Sequence, residues 1–194
     1  MNSDIELRRL QLSRDHNNHC LRMPSVAEHS YFMCIYIMKY YDRIKPHFAN
    51  AGQRTPYTNL LIEYALLHDV EEIFTGDVPS PMKNRISEVF DVVSQDWAMK
   101  QVSELMGGDK CGIEMPIVEC INNLTILKFF DVYEYIAHLV QERRMGNTLI
   151  GNRWEISVNH INCMIDDLRK TANNKEEFVE DFGFVQNLCD SYYN

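Results

Sequence analysis

Apolar residues recur at helical spacing along almost the whole chain, and no stretch alternates apolar with polar residues as a half-buried strand would. That periodicity argues against a sheet-based fold and for an all-α one. Ile5, Leu7, Leu10 and Leu12 mark a short amphipathic helix over 3–14, followed by a polar loop, Asp15 to Asn18. Pro24 and the tetrapeptide Ser25-Val26-Ala27-Glu28 form a start signal. The Ser25 hydroxyl takes the amide of residue 28, and Glu28 reaches back. This helix is expected to run to about Asp42. Thr55-Pro56 is a second start, with proline at the first helical position of a helix through LLIEYALLHD. Gly76, Pro79 and Pro81 break regularity after it. Further helices are expected over 84–106, stopped by Gly107-Gly108, over 114–145 as one or two helices ending at Gly146, and over 153–171 and 175–190. The expectation is a single all-α domain, residues 1–194, a bundle of six to eight helices without repeats or linkers.

A chain of 194 residues buries a substantial core as one domain. Its formal charge is −9, with no basic run, so it lacks the electrostatic footprint that nucleic-acid backbones or anionic membranes require. A small anionic ligand needs only a few local cations or a metal ion and is not excluded. The longest apolar run, Tyr31 to Met38, is far short of a bilayer span, and the charged N-terminal residues do not resemble a signal peptide. Six scattered cysteines without a CxxC pair read as free, mostly buried thiols of a reducing compartment, so a cytoplasmic protein is expected. The tract Tyr31–Met38, with Tyr40 and Tyr41, is apolar all round, which fits a central buried helix or a subunit interface.

Four residues stand out chemically. His29 lies in the first turn of its helix, His68 and Asp69 adjoin near the end of an apolar helix, and Asp131 interrupts the apolar stretch ILKFFDVYEYI. A carboxylate there is costly to bury without compensation, and a metal ion would compensate it. Two imidazoles and two carboxylates make a mixed nitrogen and oxygen set. That suits a divalent transition metal, Mn, Co, Fe, Ni or Zn, better than Mg. A His-Asp dipeptide by itself is a weak signal; its surroundings strengthen it.

Those surroundings are Val26-Ala27-Glu28-His29-Ser30, then His68-Asp69-Val70-Glu71-Glu72 continuing into Thr75-Gly76-Asp77-Val78-Pro79 and on to Lys83, then Lys128 to Asp131. In order and spacing the three blocks resemble the HD-domain phosphohydrolases, and among them the YfbR-like 5′-deoxynucleotidases. The phage DatZ-type dATP triphosphohydrolases share the scaffold. The resemblance spans roughly residues 14–147. It implies that His29, His68, Asp69 and Asp131 hold one divalent metal per subunit and that Glu72 lies beside the attacking water, to orient it or manage its proton. It places Asp77 near the sugar or that water, Lys83 close to the site, and Arg14 on the substrate phosphate, with Arg22 a second arginine at a family offset.

Each of these roles has a plainer counterpart: a solvated helix-end carboxylate for Glu72, an Asx-turn for Asp77 and a surface lysine for Lys83. The chain departs from the family after Arg14, where relatives carry tryptophan against the nucleoside and this sequence has Asp15. The expected activity is hydrolysis of deoxynucleoside 5′-monophosphates to nucleoside and phosphate. The alternatives are release of triphosphate from a dNTP, or a non-catalytic nucleotide-sensing module. The partner is then a small nucleotide rather than nucleic acid or membrane. Family members self-associate, which implies a homodimer or higher homo-oligomer.

Overall fold

Five helices carry the fold in the computed structural model, which describes residues 20–22, 24–70, 72 and 124–193. They are α1 (Val26–Asn50), α2 (Thr58–Leu67), α3 (Thr125–Arg144), α4 (Gly151–Lys170) and α5 (Lys175–Asp190). No strand occurs among the described residues, so the chain is all-α. The helices expected over 3–14 and 84–106, and the first part of 114–145, lie outside the described residues.

The central element is α1, which packs against each of the other four helices. Its stripe Met33, Ile37, Tyr41, Ile44 and Phe48 is fully buried, the i, i+4 and i, i+3 spacing of a single face. Tyr31 and Met38 point outward, each 58% exposed, so the helix is buried on one broad face rather than all round. The Ser25 hydroxyl accepts the Glu28 amide at 3.1 Å as expected, but the Glu28 carboxylate turns to the Arg22 guanidinium, leaving half a capping box.

Two boundaries differ from expectation. α1 continues past Asp42 to Asn50, across Pro46, because Ile44, His47 and Phe48 are buried in the core and their packing outweighs the lost backbone bond. It stops where Gly52 takes φ +72°, with the Gln53 amide reaching back to the Phe48 carbonyl at 2.9 Å. Pro56 is not the first helical residue. α2 opens two residues later, at Thr58 with Tyr57 as its N-cap, while the Pro56 carbonyl accepts the buried Tyr41 hydroxyl. An acceptor inside the core thus takes precedence over a local start signal.

α3 ends as expected at Gly146, whose φ of +95° closes the helix. The Gly146 amide bonds to the Arg143 carbonyl and the Asn147 amide to the Glu142 carbonyl. α5 opens on Asn174, whose side chain accepts the amides of Glu176 and Glu177. Aromatic rings fill the space between α1, α3 and α5. Tyr40 stacks on Phe184 with centroids 3.9 Å apart, and Tyr133 meets Tyr36 edge-on at 5.0 Å. On α4, Trp154 stacks on Tyr192 at 3.8 Å and ties down the residues after α5. Of the four described cysteines only Cys34 is buried; Cys163 is exposed.

Candidate metal centre

The first turn of α1, the end of α2 and the second turn of α3 converge on one point. His29 is the fourth residue of α1, its amide bonded to the Ser25 carbonyl at 3.0 Å, so the N-cap fixes where its ring starts. His68 caps the C-terminus of α2, and Asp69 follows in the turn. Asp131 comes from α3. The His29 Nε2 atom lies 3.2 Å from His68 Nε2, 3.3 Å from Asp131 Oδ1 and 3.8 Å from Asp69 Oδ2. His68 Nε2 lies 3.2 Å from Asp69 Oδ2. Residues separated by more than 100 positions in the chain therefore bring four donor atoms together, and three of the residues, His29, His68 and Asp69, by themselves form a compact cluster with the geometry to hold a metal ion.

The ring orientations decide what these atoms offer. His68 Nδ1 faces the Ala65 carbonyl at 2.8 Å, and His29 Nδ1 faces the Glu134 carboxylate. An imidazole nitrogen opposite an oxygen acceptor carries the proton, so when the rings are neutral each Nε2 presents its lone pair to the shared centre. Two such lone pairs and two carboxylate oxygens repel one another at these distances. A cation resolves the conflict. Separations of roughly 3–3.5 Å are those of donors that each lie about 2.1 Å from one ion. The residues therefore fit a divalent metal, and the mixed donor set fits a transition metal.

Asp131 is less enclosed than its apolar context suggests. Its side chain is 14% exposed, and its other oxygen pairs with Lys128, which is itself half exposed. Charge compensation here thus has a second source besides a metal. Glu72 is buried, 5% exposed, with its amide bonded to the Asp69 carbonyl at 3.1 Å. α2 has ended by then and the chain turns through 68–70 before Glu72, which is itself helical, so that turn sets Glu72 relative to Asp69, and Glu72 is buried rather than solvated. Arg22 is half exposed and its guanidinium is engaged by Glu28. Arg14, Asp15, Asp77 and Lys83 lie outside the described residues.

Sequence reasoning missed two carboxylates. Glu134 stands three residues after Asp131 in the same apolar stretch, a second acidic residue on the same helical face, and that spacing was the available signal. Glu142 is fully buried at the far end of α3. It accepts the backbone amides of Leu21 at 2.6 Å and Arg22 at 2.8 Å, and the Asn147 side-chain amide at 2.7 Å. It thereby anchors the segment that leads into α1. Burial pushes its carboxyl up, but the bonds from Asn147, Leu21 and Arg22 and the nearby His138 outweigh that and hold it below its ordinary value of 4.5.

Comparison with curated proteins gives no match, and comparison with solved structures gives none. The family model described as 5′-deoxynucleotidase YfbR-like matches residues 6–161, a stretch that contains all four converging residues and Glu72. That family's activity is deoxynucleotide phosphohydrolysis, and its HD-type chemistry uses a divalent metal. Matched over most of its length, the chain belongs to the YfbR-like 5′-deoxynucleotidase family.

Proposed function

We propose that this protein hydrolyses deoxynucleoside 5′-monophosphates to deoxynucleoside and phosphate, using one divalent transition metal per subunit held by His29, His68, Asp69 and Asp131. The observation that carries the reading is the convergence of two Nε2 atoms and two carboxylate groups, each ring turned by an acceptor at its Nδ1. A metal bound there lowers the pKa of a water molecule and draws charge from a phosphoryl oxygen.

The remaining work falls to the chain. Glu72, buried one tight turn after Asp69, orients the attacking water and accepts its proton, or passes one to the departing 5′-oxygen. Arg14 and Lys83 hold the phosphate, and Asp77 lies toward the sugar. Asp15, in place of an aromatic wall, deprives the nucleoside of a flat apolar contact. Arg22 secures the entrance to α1 through Glu28 and joins phosphate binding only by leaving that partner. The protein acts as a single domain in the cytoplasm, as a homodimer or higher homo-oligomer.

The test is a screen of metal-supplemented protein against deoxy- and ribonucleoside mono-, di- and triphosphates, with products separated by chromatography. Phosphate and nucleoside from monophosphates are expected. Triphosphate released from a dNTP would move the protein to the triphosphohydrolase class. No turnover with nucleotide still bound would make it a sensing module.

A further inference from the structure

We infer that Glu134 is the positioning residue of the metal centre: it holds the His29 ring so that Nε2, and not Nδ1, faces the ion. The inference rests on the proposed metal site and adds a residue to it.

Glu134 is a carboxylate only 7% exposed, on the helix face that also carries Asp131. The i, i+3 spacing sets the two acids one above the other. They bracket a single ring across the α1–α3 interface. Asp131 Oδ1 lies 3.3 Å from His29 Nε2, and Glu134 Oε2 accepts from His29 Nδ1. A buried carboxylate is costly unless its lone pairs are used, and here one is committed to the imidazole.

The two histidines obtain the same orientation by different means. His68 ends its helix with a full turn of main chain behind it, and its Nδ1 uses the carbonyl of Ala65, three residues back. His29 sits in the first turn of α1, where Ser25 is the cap and Val26 the first helical residue. Its acceptor comes from 105 residues away on another helix. A half-turn of the ring about its Cβ–Cγ bond would interchange the nitrogen and carbon positions and withdraw Nε2 from the centre. An acceptor fixed at Nδ1 opposes that turn and keeps the proton off Nε2. A glutamate reaches across from α3 for this purpose; an aspartate at the same position is one methylene too short.

The opposing possibility is an ion pair: a protonated His29 balanced by Asp131 and Glu134, with the charge of Glu134 mattering and its reach secondary. Two variants separate these. Glu134→Gln keeps the reach and an oxygen acceptor but loses the charge. Glu134→Asp keeps the charge but loses the reach. Both retain a polar side chain of similar size, so both are expected to fold, and melting of the metal-free proteins checks this. The probe is Co(II) alone, titrated by calorimetry and by the visible absorption of the bound ion.

Glu134→Gln should bind Co(II) within about threefold of wild type with the same spectrum, and Glu134→Asp about 10–100-fold more weakly with an altered spectrum. A Gln variant as weak as the Asp variant or weaker overturns the inference, as does wild-type affinity in both. Wild-type protein that binds no Co(II) would instead bring down the metal site itself, and the inference with it.

Discussion

His29 has a partner on each ring nitrogen, and Glu72 is buried a turn beyond Asp69; in the proposed function these two residues separate holding a metal from using it. If His29, His68, Asp69 and Asp131 hold the metal as proposed, His68→Ala should leave the purified protein with little metal and no turnover. Glu72 is not needed as a donor if those four suffice. Glu72→Ala should retain metal and nucleotide binding while losing at least two decades of turnover, within the ~10²–10⁴-fold range of general acid–base groups. Glu71→Ala is the matched control, adjacent and equally charged, and should keep most of its activity. Metal analysis and steady-state rates on the three variants decide the assignment. A dead Glu71 variant, or an active Glu72 variant, would mean that the wrong carboxylate carries the proton.

At the scale of the element, α3 does two jobs with one face: its second and third turns present Asp131 and Glu134 to His29, and its last turn presents Glu142 to the segment before α1. Replacing Glu142 by alanine strands two backbone amides and the Asn147 side chain, at a cost of about 2–3 kcal/mol. Urea titration at neutral pH measures it. The pH dependence follows from the sign. The folded carboxyl titrates below its ordinary value of 4.5, so its contribution is complete above that value and is lost as pH falls through the folded one. Glu142→Gln should therefore lower stability at pH 7 and flatten its decline toward pH 3; an unchanged acid limb would assign that decline to other groups.

The same element shows what the sequence discloses and what it withholds. The end of α3 at Gly146, the N-cap of α1 at Ser25 and the span of α5 were legible because caps and glycine stops are local chemistry. The convergence of His29, His68, Asp69 and Asp131 was legible only through the spacing of three motif blocks. The Glu134–His29 bond was not, because nothing local marks a partner 105 residues distant. Nor were the passage of α1 through Pro46 and the late opening of α2, where core burial overrode the start and stop signals.

Across the whole molecule, Tyr31 and Met38 lie off the buried stripe of α1 with more than half their surface exposed. With self-association expected of the family, a homodimer or larger assembly is predicted. Light scattering at micromolar concentration that returned 22.8 kDa would reject it. Within one protomer, the long axis of α1 separates two districts. His29 stands in its first turn, while His47, near its other end, is bonded to Asp181 of α5 at 2.8 Å and packed against Phe178 and Phe182. At 1.5 Å per residue the two histidines are about 27 Å apart along the helix, well beyond the distance at which substitutions usually interact. Durability and chemistry can thus drift independently: the aromatic end is open to replacements that lengthen or shorten the protein's life without retuning the His29 cluster at the opposite end.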